Sequence, residues 1–165
     1  MKTRALLIGS VCLAASAPVL AAGSHCTQAE ETIFSCNLEH KVVSVCASKP
    51  LTAQNGYLQY RFGAAGKPEL MFPKTDVPPK SVVQAKTLMF SGGGGAYLRF
   101  KNGATSYIVY TAIGKGWGTK DGVAVEKKGK TITHLECKDV PISEMGEAFF
   151  TRAGLPEDPQ EFELP

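Results

Sequence analysis

The chain has no C-x-x-C pair, no G-x-S-x-G elbow, and no Gly-Lys-Ser/Thr ending to its glycine run. The first absence argues against a structural zinc site, the second against an α/β-hydrolase nucleophile, and the third against a nucleotide-binding P-loop. There is no arginine-rich run and no RNA-binding aromatic signature, so nucleic acid is not an expected partner. Histidine is scarce: His25, His40 and His134 sit in no recognised nucleophile context. Acid–base work would fall to body carboxylates such as Glu69, Asp76, Asp121, Glu126 and Glu136, which lie mostly at strand ends or beside lysines, where solvated surface is the simpler reading. The expectation is a protein without catalysis, metal or cofactor.

What is present fits one folded, exported domain. Of the 165 residues, 44% are apolar and 20% charged, enough apolar surface for a core. Residues 1–22 carry Lys2 and Arg4, an apolar run from Ala5 to Leu20 and small residues at Ala21 and Ala22. This is the pattern of a secretory signal peptide, and Gly9, Ser10, Ser16 and Pro18 interrupt the run too often for a permanent membrane span. Val11 before Cys12 does not suit a lipoprotein site. The expected location is periplasmic or secreted.

From residue 23 onward sixteen Lys and Arg face fifteen Asp and Glu, but unevenly. From Asp139 the chain holds seven acids against Arg152 alone, which leaves fifteen bases and eight acids in residues 23–138. A basic body joined to an acidic tail suits either contact with anions or a tail that folds back on its own body.

Four cysteines remain after the leader, Cys26, Cys36, Cys46 and Cys137, and in an oxidising compartment they predict two disulfides. Four cysteines allow three pairings. Cys36 and Cys46 end neighbouring strand-like runs joined by a short turn, so the favoured pairs are Cys36 with Cys46 and Cys26 with Cys137.

Apolar alternation predicts an all-β fold, an eight- or nine-stranded antiparallel barrel or sandwich over residues 23–140. Asn102-Gly103 is the strongest hairpin signal, a type I′ turn with positive φ at both residues, and a further hairpin turns around Lys128-Gly129. Residues 141–165 read differently: Ile142, Met145 and Phe149 at helical spacing predict one short helix over 141–153, closed by Gly154, followed by a loose acidic tail from Glu157 to Pro165.

The stretch from Ser91 to Gly118 holds the candidate partner-binding residues Ser91, Tyr97, Lys115 and Trp117. Its glycines, Gly92 to Gly95, read as a bulged or flexible connection or as a surface that lets a partner approach the backbone. Ser91-Gly92, the following glycines and Ala96-Tyr97, in a small disulfide-bonded exported β protein with a later lysine-bearing loop, resemble the bacterial inhibitors of C-type lysozyme. The resemblance implies a flattened eight-stranded barrel with a Ser-Gly-x-x-Tyr motif, whose serine and a basic residue on a neighbouring loop enter the lysozyme cleft and bind its acidic catalytic residues. Counting back from Tyr97, strict spacing puts Gly93 in the place of the serine and leaves Ser91 two residues early. Lys115 takes the basic role, and Trp117 offers rigid aromatic area beside it. The expected partner is therefore a lysozyme. The alternative is an anionic envelope component, a glycan or lipid headgroup, bound through Lys115, Lys120, Lys127, Lys128 and Lys130.

Overall fold

The computed structural model describes residues 23–165. The leader expected over residues 1–22, and Cys12 within it, lie outside the described residues. Among those described, no helix is long and apolar enough to cross a membrane.

Ten strands form two antiparallel five-stranded sheets. The first sheet contains β1 (Glu30–Asn37), β2 (Val42–Ser48), β3 (Leu58–Ala64) and β4 (Lys67–Phe72), and a two-residue β10 (Ile142–Ser143) pairs with the open side of β1. The second contains β5 (Val83–Phe90), β6 (Gly93–Asn102), β7 (Thr105–Gly114), β8 (Gly118–Lys127) and β9 (Lys130–Glu136), in chain order. The chain changes sheets at residues 73–82, where Pro73, Pro78 and Pro79 cannot donate to a ladder. The expected all-β sandwich is present, with β10 beyond the nine longer strands.

Alternation sends one side chain in two to the space between the sheets. Phe34, Val45 and Tyr60 from the first sheet meet Leu98, Phe100, Val109 and Val123 from the second in one apolar core. Tyr60 stacks on Tyr107 across the gap, with centroids 4.9 Å apart.

The disulfides join Cys26 to Cys46 and Cys36 to Cys137, with Cα atoms 5.3 and 5.6 Å apart, and so overturn the favoured pairing. The reason is register. In the β1–β2 hairpin Cys36 faces Val43 while Cys46 faces Thr32, so the two cysteines stand near opposite ends of the ladder. Cys36 is part of the inter-sheet core, packed with Cys137. Cys46 pairs in register with Gln59, on the outer face, where Cys26 reaches it.

One turn also differs from expectation. Asn102 pairs with Thr105, so the β6–β7 turn is centred on Gly103-Ala104 and only Gly103 has positive φ. The hairpin with positive φ at both central residues is Lys128-Gly129, at 53° and 74°. The short helix, α1 (Glu147–Ala153), starts later than predicted, because Ile142 and Ser143 are captured by the backbone of β1. Its end is as expected: Gly154 closes it in the left-handed region, and Phe149 and Phe150 are buried.

Each sheet also has part of its outer face covered by a chain segment. Residues 23–29 cross the first, where the Ser35 hydroxyl donates to the Gly23 carbonyl and Arg61 donates to the His25 carbonyl, both at 2.7 Å, while Arg61 also holds Glu30 of β1 through two hydrogen bonds of 2.9 and 2.5 Å. Residues 156–165 cross the second, and here the expectation of a loose tail fails: Asp158 is fully buried and Phe162 nearly so. The charge asymmetry reflects, in part, an acidic tail lying on its own basic body.

Candidate binding surface

At one end of the second sheet two turns lie side by side. Phe90 pairs with Gly93, which leaves Ser91-Gly92 as a two-residue connection between β5 and β6. Gly114 pairs with Gly118, which leaves Lys115-Gly116-Trp117 as the loop between β7 and β8. Gly93 and Gly114 are register partners, and the Lys115 N–H donates to the Gly92 carbonyl at 3.0 Å. The structure thus brings Ser91, Lys115 and Trp117 together, all exposed.

Only Gly92 of the glycine run belongs to the turn; the other three glycines are strand. Gly93, Gly94 and Gly95 are the first residues of β6, and a Cβ at Gly93 or Gly95 would stand 2.0 or 2.4 Å from a carbonyl oxygen of β7. Strands β6 and β7 approach too closely there for any side chain. Gly114 serves the loop in the same way: a Cβ on it would stand 2.2 Å from the six-membered ring of Trp117, so the indole rests directly on backbone. Phe90 flanks the indole at 5.6 Å and the Lys120 ammonium lies 5.6 Å from its centroid. Trp117 is propped in place with 41% of its surface open.

Below this tip, the face of the second sheet that carries Leu98 and Val109 in the core continues to Gly94, Ile113 and Met89. Here it lies open, with Ile113 61% and Met89 87% exposed. A groove of about 480 Å³ runs between this stretch and Val140, Pro141 and Met145. At its polar side the Thr111 hydroxyl donates to Asp121 at 2.6 Å. The groove opens on the inner face of the sheet, whereas the Trp117 indole rests over Gly114 on the outer face beside Lys120, so the tip closes the end of the sheet between the two.

Tyr97 does not belong to it. The side chain is fully buried on the outer face, its hydroxyl 3.1 Å from Asp158 Oδ2 and 2.9 Å from the Gln160 carbonyl, and burial first, then the Asp158 charge, push its phenol well above the ordinary range. Alternation correctly separates Tyr97 from Leu98 but does not reveal that both faces of β6 are covered. Nor do the lysines form one patch. Lys127, Lys128 and Lys130 stand at the β8–β9 turn, at the far end of β8 from Lys115, and Lys120 donates to the Pro165 carbonyl.

The histidines are dispersed: His25 is buried within the amino-terminal crossing, its Nε2 3.2 Å from the Val42 carbonyl, while His40 and His134 are exposed. Among the described residues no three His, Cys, Asp or Glu side chains gather as a metal would require. Comparison of the chain with protein-family models, with curated proteins and with solved structures gave no match.

Proposed function

We propose that this protein is an exported, non-catalytic binding protein that presents the tip formed by Ser91-Gly92 and Lys115-Gly116-Trp117 to a cleft in a partner protein, with a C-type lysozyme as the target its resemblance suggests. The observation that carries the reading is the hydrogen bond from Lys115 N–H to the Gly92 carbonyl, which locks two exposed turns into one projection. Such a projection loses little conformational freedom on binding. The Ser91 hydroxyl and the Lys115 ammonium can form charge-assisted hydrogen bonds to carboxylates in a desolvated cleft, and Trp117 adds rigid aromatic contact area beside them. Tyr97 has no contact role at this tip. Two disulfides suit an oxidising compartment, in keeping with a periplasmic or secreted protein.

The test is inhibition of a panel of C-type lysozymes on bacterial cell walls by the mature protein. Micromolar protein should slow at least one of them, and Ser91→Ala or Lys115→Ala should weaken inhibition about tenfold, ~1.4 kcal/mol. A panel left unaffected removes lysozyme as the target. Binding that fades steeply with salt and survives both substitutions would instead support polyionic contact with an anionic glycan or lipid.

A further inference from the structure

The outer face of β6, β7 and β8 has the features of a peptide-recognition site, filled by the chain's own residues 156–165. Recognition begins at the backbone. Ala85 N–H on β5 donates to the Pro156 carbonyl and the Asp158 N–H donates to the Ala85 carbonyl, both at 3.0 Å, so the tail adds to the free edge of the sheet through one parallel bridge. The Asp158 carboxylate then accepts from Arg99 Nε at 2.5 Å, on an arginine that is fully buried and also bound to Glu126. Four residues on, the Phe162 ring sits between Tyr97 and Tyr110, at 5.3 and 5.5 Å. Edge addition, a charge-assisted anchor and an aromatic slot are the three means by which sheets read extended peptides.

The tail fits this face incompletely. Gln84 Oε1, on the residue paired in register with Arg99, is buried without a hydrogen-bond donor. A cleft of about 370 Å³ stays open beside Phe162, lined by Leu88, Tyr97 and Glu163 among others. No disulfide ties the tail down, whereas Cys26–Cys46 fastens the crossing on the other sheet. An occupant held without a covalent tie, leaving an acceptor unpaired and space unfilled, is one that a better-fitting segment can replace.

We propose that the outer face of the second sheet is a binding site for an extended acidic peptide segment with an aspartate and, four residues later, an aromatic side chain, and that residues 156–165 occupy it in cis and must lift for such a segment to bind. This site borders the tip, since Pro165 and Trp117 both flank Lys120, but it does not depend on the function proposed above.

The probe is a fluorescent synthetic peptide of residues 156–165, titrated by anisotropy against the full disulfide-bonded chain and against its Phe162→Ala variant. The parent's own tail competes at high effective concentration, so the peptide should bind the variant at least about tenfold more tightly than the parent. Replacing the aspartate of the peptide by asparagine should weaken binding by a similar factor, and replacing its phenylalanine by tryptophan, which fills the open cleft, should strengthen it. A folded variant that binds the peptide no better than the parent overturns the proposal. Should Phe162→Ala not fold, the parent decides: excess peptide should accelerate hydrogen exchange at the amides of Asp158 and Gln160, and unchanged exchange there overturns it equally.

Discussion

On the outer face of the first sheet, residues 23–29 cross Ser35, Ser44 and Arg61 and are fastened by Cys26–Cys46; on that of the second, residues 156–165 cross Tyr97, Arg99 and Tyr110 with no covalent tie. Each face buries an arginine and satisfies it with carboxylates. In the first, Glu30 belongs to β1 itself and cannot leave its partner without breaking the strand. In the second, Asp158 belongs to the crossing segment and can take its charge back into water when the segment lifts. The same chemistry therefore makes a fixed cover on one side and a releasable one on the other, because the partner of the arginine is placed differently along the chain.

The sharpest way to break this comparison is to remove each arginine. Arg61→Ala leaves Glu30 buried and should cost about 3–5 kcal/mol in urea unfolding. Arg99→Ala should cost less, about 2 kcal/mol, because Asp158 escapes by local opening of the tail, though Glu126 remains on β8. Equal losses would mean that the tail is as fixed as the strand. Next, Cys26→Ser with Cys46→Ser should lower stability by about 3 kcal/mol, the expectation for a loop of this length, and should give the amino-terminal crossing a local opening it otherwise lacks, read by hydrogen exchange at Cys26 and Thr27 in the parent and Thr27 in the variant.

A pH series separates the faces through Glu30. Burial would raise its carboxyl, but hydrogen bonds from Arg61, Tyr57 and Thr27 outweigh burial and hold it at about 2 against an ordinary 4.5. A depressed carboxyl stabilises the fold above its unfolded value and loses that contribution as pH falls through the folded one. About 3 kcal/mol should thus disappear between pH 5 and pH 2. Glu30→Gln should be less stable at neutral pH and should flatten that part of the profile; an unchanged slope would remove Glu30 as its source. The smallest effect on stability belongs to the tip. Trp117→Ala should cost no more than about 1 kcal/mol, since the ring is half open and rests on Gly114, while weakening partner binding about tenfold.

Much of the fold was legible in the residues, and the reasons for the misses are physical. Alternation in Leu98, Phe100 and Val109 marks strands because the core takes every second side chain, and Lys128-Gly129 marks a turn. Disulfide pairing was not legible, because it depends on which residues stand opposite one another in the β1–β2 ladder, where a bulge shifts the register between Thr32 and Phe34. The grouping of Ser91, Lys115 and Trp117 could be anticipated from a hairpin that returns the chain to the same end. Burial of Tyr97 could not, since one phenylalanine in an acidic, proline-containing segment gives no periodic signal of the face it covers.

The comparison between the two covers is tested most directly by native-state hydrogen exchange on the intact, disulfide-bonded chain. The amides of Asp158 and Gln160 should exchange through local opening that is insensitive to low denaturant, while those of His25, Cys26 and Thr27 follow global unfolding. If both segments exchange only with global unfolding, the carboxy-terminal cover is a fixed part of the fold, and the distinction drawn between the two faces is wrong.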